Sequence, residues 1–392
     1  MTTELSNFAA RLLPLLRDTA RQAQDNEFNE LALELFALQF KSNAAYRKIC
    51  EACRLTPKVV EHWTQIPAVP TAAFKELELT CLAPGERTAV FHSSGTTEQK
   101  PSRHFHSTES LKLYEASLIP WFDRHVVPDF GFRPALRSLR AKDGISDFRL
   151  VILTPPPAQA PHSSLVHMFE TVRQKPGGAS VPASRAFLGD IADDDSWTVD
   201  FDAVVDALSP RASSPAPRAL LLLGTAFSLV HLLDYLAENN LSFQLPPGSR
   251  VMETGGYKNR SRSMPKTELH QLITERLGVP RENIICEYGM SELSSQGYDS
   301  AIQPPSSILH HRVFQFPPWA RVQIISPETG REVADGETGL IRVFDLANVF
   351  SVMAIQTEDL GIRRDEHFEL IGRAALAEPR GCSLMVAETR KS

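Results

Sequence analysis

Cysteine is scarce in this chain, with five among 392 residues. Their spacings do not form a disulfide framework, which argues against a small secreted fold held by disulfides and favours a reducing compartment. The N-terminus also lacks the basic start, apolar segment and small-residue cleavage site of a secretion signal, and its pattern is that of an amphipathic helix. We therefore expect a cytoplasmic protein.

Excess positive charge and long apolar runs are lacking too. The net charge of -6 and a pI of about 6.1 argue against a nucleic-acid-binding protein, which usually presents a basic face. The longest apolar run, residues 219–236, fits a buried strand followed by a helix better than a membrane span. It is interrupted at Gly224, Thr225, Ser228, His231 and Asp234. Hydrophobic residues still make up 42% of the chain, which is enough for a large core.

Neither of two common phosphate-binding glycine motifs, the Walker loop and the dinucleotide fingerprint Gly-x-Gly-x-x-Gly, is present. The chain has instead FHSSGTTEQKPS at residues 91–102, where hydroxyls and a glycine-permitted turn offer several donors to phosphate oxygens. The donor residues are Ser93, Ser94, Gly95, Thr96 and Thr97, and Lys100 could add a positive charge. Taken alone, this loop could equally be a solvated surface segment.

The middle of the chain alternates between strand and helix patterns. DFRLVILTP, ALLLLGTAF and NIICEYGM resemble buried strands, and SSLVHMFETVRQ, FSLVHLLDYLAENN and TELHQLITERLG have helical spacing. This alternation predicts an α/β fold with a mainly parallel sheet covered by helices and with ligands at the carboxyl ends of the strands. From about Ala320 the turn signals PETG and DGETG predict a smaller antiparallel sheet.

Further polar motifs follow predicted strands. In CEYGMSE, Glu292 lies just past a strand end, where a carboxylate can hold Mg²⁺ against a nucleotide phosphate. Tyr288 offers a flat face and Gly289 lets a ligand approach the backbone. ETGGYKN, at residues 253–259, suits a flat base, and Asp359 in TEDLG could accept hydrogen bonds from ribose hydroxyls.

The motifs SSGTT, GGY, YGMSE, TEDLG and GR, in this order, resemble the core motifs of the adenylate-forming superfamily of acyl- and aryl-ligases. The resemblance narrows to the acyl-protein synthetase (LuxE-type) branch known from bacterial luminescence and covers nearly the whole chain. The segments that carry it are LELFALQFKSNAAYRKIC, IPAVPTAAFK, LTPPPAQAPHSSLVHMF, LLLLGTAF, GGYKNRS and RGCSLM. The resemblance implies a Mg-ATP-dependent ligase. Such an enzyme activates a carboxylic acid, with fatty acids among the candidates, as acyl-adenylate. It then transfers the acyl group to its own cysteine and on to a partner reductase.

The resemblance assigns roles to individual residues. The nucleotide-binding set comprises Ser93, Ser94, Gly95, Thr96, Thr97, Gly255, Gly256, Tyr257, Tyr288, Gly289, Asp359 and the hinge Arg373. Glu292 becomes the magnesium carboxylate and Cys382 the acyl acceptor. We expect Lys258, ahead of Lys266 and Lys100, to supply a catalytic cation. The substrate-side candidates are His92, Gly224, Phe227 and Met290.

The chain also departs from the superfamily pattern. Glu98 stands where a glycine commonly follows the double threonine, and GGY stands where tryptophan is more usual. We expect an adenylate-forming large domain at residues 1–372, with a helical part at 1–85 and a β meander at 320–372. Residues 373–392 are expected to form a short tail, with the usual C-terminal lid domain and its catalytic lysine missing.

Two other functions remain open at this point. One is an acyl- or aryl-coenzyme A ligase, in which a free thiol replaces Cys382 as acceptor. The other, from a different class, is a non-catalytic scaffold that binds nucleotide or acyl groups beside a reductase. For His104 and His106 we expect a structural or substrate-side role rather than metal binding. The sequence does not identify the acid, the final acceptor or the oligomeric state.

Overall fold

The computed structural model of the protein describes residues 3–19, 25–93, 100–128, 148–175, 182–193, 196–209, 218–255, 264–300 and 312–373. In chain order the strands are β1 (Val69–Pro70), β2 (Ala89–His92), β3 (Arg103–His106), β4 (Arg149–Ile152), β5 (Gly189–Ile191), β6 (Trp197–Val199), β7 (Leu220–Thr225), β8 (Arg250–Thr254), β9 (Ile284–Tyr288), β10 (Gly297–Ser300), β11 (Val313–Gln315), β12 (Ala320–Ile325), β13 (Thr338–Asp345), β14 (Ala354–Arg364) and β15 (His367–Arg373). The α-helices are α1 (Thr3–Leu12), α2 (Asp25–Ser42), α3 (Ala44–Ala52), α4 (Ala73–Glu76), α5 (Thr108–Val126), α6 (Ser164–Gln174), α7 (Ala183–Ala186), α8 (Phe201–Leu208), α9 (Ala226–Glu238) and α10 (Lys266–Leu277).

The parallel part of the sheet has the order β4-β7-β8-β9. Its strands are apolar without alternation because helices cover both faces. Leu223, Met252 and Ile285 pack toward α5 and α6, whereas the intervening residues of the same strands pack toward α8, α9 and α10. Thr225 ends β7 and caps α9 by accepting a hydrogen bond from the Ser228 backbone N–H at 3.0 Å. The predicted α/β alternation is therefore confirmed.

The antiparallel strands extend this sheet instead of forming a separate one. β10 turns back beside β9, and β11 joins it to β15, β14, β13 and β12, so that a single mixed sheet has eleven strands including β1. The predicted meander from Ala320 is present, but the sequence did not indicate this junction, because β10 and β11 are only four and three residues long. Two hairpins, β2-β3 and β5-β6, form small sheets of their own.

The N-terminal helices pack against the antiparallel part of the sheet. Phe28, Phe36 and Tyr46 belong to the same buried cluster as Phe344 and Ile355 from β13 and β14. The helical pattern predicted for this region is confirmed by α1, α2 and α3. No helix in the described ranges is both long and apolar enough to cross a membrane.

Candidate active site

The hydroxyl-rich loop begins and ends beside Glu292. The loop is closed by the β2-β3 hairpin, and the Ser102 backbone N–H donates a hydrogen bond to Ser93 Oγ at 3.0 Å. The Ser102 hydroxyl donates in turn to Glu292 Oε1, across 190 residues of sequence. Ser94 lies outside the described residues, and its neighbour Ser93 is connected to Glu292 through Ser102.

The turn that carries Glu292 is bound to the hairpin by a second buried contact. His104 Nδ1 lies 2.6 Å from the Ser291 carbonyl oxygen, a distance that requires the ring to donate this proton. Burial lowers the pKa of His104 to about 4, so the ring is neutral near pH 7. In this contact His104 joins the hairpin to the Glu292 turn, and whether it also has a substrate-side role stays a prediction.

Two buried polar residues support the turn from β13 and from the segment after it. Asp345 accepts hydrogen bonds from the backbone N–H groups of Ser294 and Ser295, at 2.9 and 2.8 Å. The Asn348 side chain donates to the carbonyl oxygen of Glu292 at 2.7 Å. The backbone on both sides of Glu292 is therefore held in place, which is what a residue that must face a ligand in a fixed direction needs.

The predicted nucleotide-side residues Tyr288, Asp359 and Arg373 lie together. The Tyr288 hydroxyl, at the end of β9, donates to Asp359 Oδ2 at 2.9 Å. Arg373 Nε lies 3.9 Å from Asp359 Oδ1, and its side chain is 76% exposed. A partly buried carboxylate, the Tyr288 hydroxyl and an exposed cation thus lie together at the carboxyl end of β9, four residues before Glu292.

The electrostatics of Glu292 favour a cation next to it. The residue is 4% exposed, and burial raises the pKa of its carboxyl while the Ser102 and Ser291 hydroxyls act in the opposite direction. Carboxylate and hydroxyl oxygens are the donor type that Mg²⁺ prefers, and such sites use one or two carboxylates together with substrate phosphates. The oxygen set at Glu292 is therefore of the type that fits a magnesium ion.

The substrate-side candidates divide into two groups. His92 is half-buried, with its ring 4.8 Å from that of His162, and Met290 lies in the Glu292 turn. Gly224 and Phe227 lie at the end of β7, two strands away from β9. A side chain at Gly224 would approach Ser228 Oγ to 2.9 Å, so close packing is sufficient reason for this glycine.

Several predicted site residues lie outside the described residues. They are Ser94, Gly95, Thr96, Thr97, Gly256, Tyr257, Lys258 and Cys382. Gly255 ends the described part of its motif with a φ of +71°, a left-handed conformation that favours glycine. Residues 374–392 of the tail expected at 373–392 also lie outside the described residues, and the proposed domain limits stay a prediction.

Lys266, one of the cation candidates, has a different environment from the one expected. Its Nζ lies 3.2 Å from Glu253 Oε1 and also contacts the Cys286 sulfur, on the sheet face that packs against α10. His270 Nε2 is 3.4 Å from the same Glu253 oxygen. Burial alone would raise the pKa of Glu253, but Lys266 and His270 bring it down to about 2. No local pattern in the sequence indicated this pairing of the buried Glu253 with a partly exposed lysine.

Replacing Lys266 with Met is expected to lower the free energy of unfolding at pH 7 by about 2–3 kcal/mol, less than for a fully buried pair because the lysine is partly exposed. Wild-type Glu253 has a lowered pKa, so its contribution is present above about pH 4.5 and is lost as the pH falls toward 2. In the Lys266→Met variant we expect the pKa of Glu253 to rise above its value in the unfolded chain. The free energy of unfolding of the variant should therefore decrease as the pH rises. Urea unfolding of wild type and variant at about pH 3, pH 5 and pH 7 measures both effects.

Lys41→Met is the matched control, because Lys41 forms an exposed pair with Glu4 at 2.7 Å. It should change stability by less than about 1 kcal/mol at either pH. An equal effect of the two substitutions would show that the Glu253 pair contributes no more than a surface contact.

The architecture is that of the adenylate-forming ligases. Two structures of 2-hydroxyisobutyryl-CoA ligase align with 89% of this chain. The open form with 2-HIB-AMP and CoA gives a TM-score of 0.56 at 13% identity over 69% of its own length. The postadenylation form with 2-HIB-AMP gives 0.53 at 14% identity over 67%. At such identities the likeness shows the fold alone, and it confirms the predicted fold class.

The profile of the family described as acyl-protein synthetase, LuxE, matches residues 183–390, which is more than half of the chain. The protein therefore belongs to this family, a family of ligases, as its motifs indicated. The long-chain-fatty-acid–luciferin-component ligase of Vibrio harveyi is 22% identical over 94% of this chain and 89% of its own length. The Aliivibrio fischeri protein of the same name is 26% identical over 49% of this chain. That match covers 51%, about half, of the Aliivibrio fischeri protein's own length.

Proposed function

We propose that this protein uses ATP to convert a carboxylic acid to an acyl-adenylate and then transfers the acyl group to a thiol. The first acceptor is its own Cys382, and the final acceptor is a partner protein such as an acyl reductase. Family membership and the names of the two relatives support this proposal. The single observation that carries it is the contact chain from Ser93 through Ser102 to Glu292, which joins the hydroxyl loop to the buried carboxylate.

The first step brings the anionic carboxylate of the acid against the α-phosphate of ATP. Glu292 would hold Mg²⁺ here, and the bound ion would neutralise phosphate charge as the pyrophosphate leaves. The protein's own contribution is positional. Asp345 and Asn348 hold the Glu292 turn, and the Tyr288 hydroxyl orients Asp359, which would accept hydrogen bonds from the ribose. The flat face expected of Tyr288 is instead packed against Phe314, Phe316 and Phe368. The hydroxyl loop provides donors for the leaving pyrophosphate.

The second step requires a nucleophile. A thiolate attacks the acyl carbon, the bond from that carbon to the AMP oxygen breaks, and AMP departs with the electron pair. In the proposal Cys382 is this nucleophile, since its position matches the acyl-accepting cysteine of the family. Coenzyme A is the competing acceptor.

An exchange assay tests the first step. Pyrophosphate labelled with ³²P should enter ATP only when a carboxylic acid of the correct class is added, and a panel of short, long and aromatic acids should identify that class. A protein that binds ATP but shows no exchange with any acid would be a nucleotide-binding scaffold, and the proposal would be wrong.

Cys382→Ala tests the second step. The variant is expected to keep the exchange activity but to lose at least tenfold of the thioester label that wild type retains after denaturation in acid. Cys53→Ala is the control, since Cys53 is an exposed cysteine in α3's C-cap and should leave the label unchanged. Equal labelling of the Cys382 variant and wild type, or formation of acyl-coenzyme A without protein label, would contradict the assignment.

A further inference from the structure

The sheet face that packs against α5 changes from apolar to polar in its last row. Leu223, Met252 and Ile285 are register partners across β7, β8 and β9, and all three belong to the core beneath α5. Two residues further along the same strands, the partners are Thr225, Thr254 and Glu287, and β10 continues the row with Tyr298. Register partners present their side chains on the same face, so this row forms one polar edge at the carboxyl ends of the strands.

Glu287 is the charged member of this row. It is 5% exposed, and the Thr254 hydroxyl donates to its Oε2. Thr254 is its hydrogen-bond partner among the described residues. The other oxygen, Oε1, occupies the space that a Cβ on Gly289 would need, and Gly289 is exposed. One carboxylate oxygen therefore lies at the entrance to the site, beneath the turn that leads to Glu292.

Tyr298 adds a second polar group to this row. Its side chain is fully buried against Phe122 and His125, and its hydroxyl has no hydrogen-bond partner among the described residues. A buried hydroxyl without a partner is unfavourable, and in native proteins such a group calls for an explanation, of which a bound water, ion or other polar group is one. Tyr298 lies directly opposite Glu287 on the same face, so one bound polar group could satisfy both.

From this row we infer that the acid substrate carries a hydrogen-bond-donating substituent, a hydroxyl or ammonium group, within a few atoms of its carboxyl group, and that Glu287 and Tyr298 bind it. This inference rests on the proposed adenylation and specifies its substrate class. A hydroxyl would donate to Glu287 Oε1 and accept from the Tyr298 hydroxyl. An ammonium group would instead pair with the Glu287 charge.

An unsubstituted alkyl chain fits this edge poorly. It would cover the Glu287 carboxyl without a hydrogen bond, at the cost of an unpaired buried polar group. Burial raises the pKa of Glu287 to about 7, although the Thr254 hydroxyl and Lys266 act in the opposite direction. Lys266 pairs with Glu253 and Cys286 on the opposite face of the sheet.

The test is pyrophosphate exchange with matched acids of equal chain length, either unsubstituted or with a hydroxyl or an amino group at carbon 2 or 3. We expect wild type to prefer a substituted acid by about tenfold or more in kcat/KM. Glu287→Leu should reduce that ratio to near one, and Tyr298→Phe should reduce it about threefold. The hydroxyl and amino series show which of the two donors is bound.

Glu253→Gln is the control, because this buried carboxyl lies on the opposite face of the same sheet. It should leave the ratio unchanged, and a ratio for one enzyme sample does not depend on how much of that sample is folded. Exchange with equal kcat/KM for substituted and unsubstituted acids would overturn this inference and leave the adenylation standing. If none of the acids supported exchange, both this inference and the proposed adenylation would be wrong.

Discussion

Glu292→Gln is expected to reduce acid-dependent pyrophosphate exchange by about 10²–10³-fold, the usual cost of one lost electrostatic group at a transition state. Glutamine keeps the size of the side chain and can still accept a hydrogen bond from Ser102. It loses the charge that would hold a magnesium ion, so the loss should appear mainly in kcat, together with a higher magnesium requirement. Exchange measured over a range of magnesium concentrations separates these effects.

Glu358→Gln is the matched control for this prediction. Glu358 lies beside Arg373 at 4.0 Å and is half exposed, so it is a carboxylate near the same end of the sheet without the burial or contacts of Glu292. Its replacement should change exchange less than threefold. Near-normal exchange in Glu292→Gln, with an unchanged magnesium requirement, would remove the central assignment.

Asp345→Ala should cause the largest loss of stability, about 3–5 kcal/mol in the free energy of unfolding. Asp345 is fully buried and accepts hydrogen bonds from the backbone N–H groups of Ser294, Ser295 and Ala347. Alanine would leave all three donors buried without a partner. Urea unfolding at pH 7 measures the change, and activity should fall as well because the Glu292 turn loses its support.

Asp335→Ala tests whether burial is the reason. Asp335 is exposed and also accepts from a backbone N–H group, that of Asp365 at 2.7 Å. The loss there should stay below about 1 kcal/mol, since water can replace the lost acceptor. Comparable losses in the two variants would mean that the buried network is not what stabilises the turn.

Local patterns in the sequence were sufficient for the longer helices and strands and for the fold class. The apolar run from Leu220 to Leu223 indicates a buried strand. The glycine and polar residues after Tyr288 indicate a turn. The ordered motifs also indicated the family. The joining of the parallel and antiparallel strands was not foreseen, because β10 and β11 are too short to give a periodic signal.

Residues that act through distant partners were missed. Ser102 has no distinguishing neighbours in the sequence, yet it connects the loop to Glu292. Glu287 lies within the CEYGMSE motif, but no local pattern indicated a role for it. Its inferred role in substrate binding depends on Thr254 and Tyr298, which lie on two other strands. Lys266 was considered as a free cation, whereas the fold pairs it with Glu253.

The sequence by itself determined the order of strands and helices, the hydroxyl loop and the family, because these depend on residues near one another in the chain. The tertiary structure decided which carboxyl groups are paired, which are buried and which lie at the entrance to the site. The physical reason is that strand register and helix packing bring together groups up to 190 residues apart, as for Ser102 and Glu292, and no local pattern encodes that register.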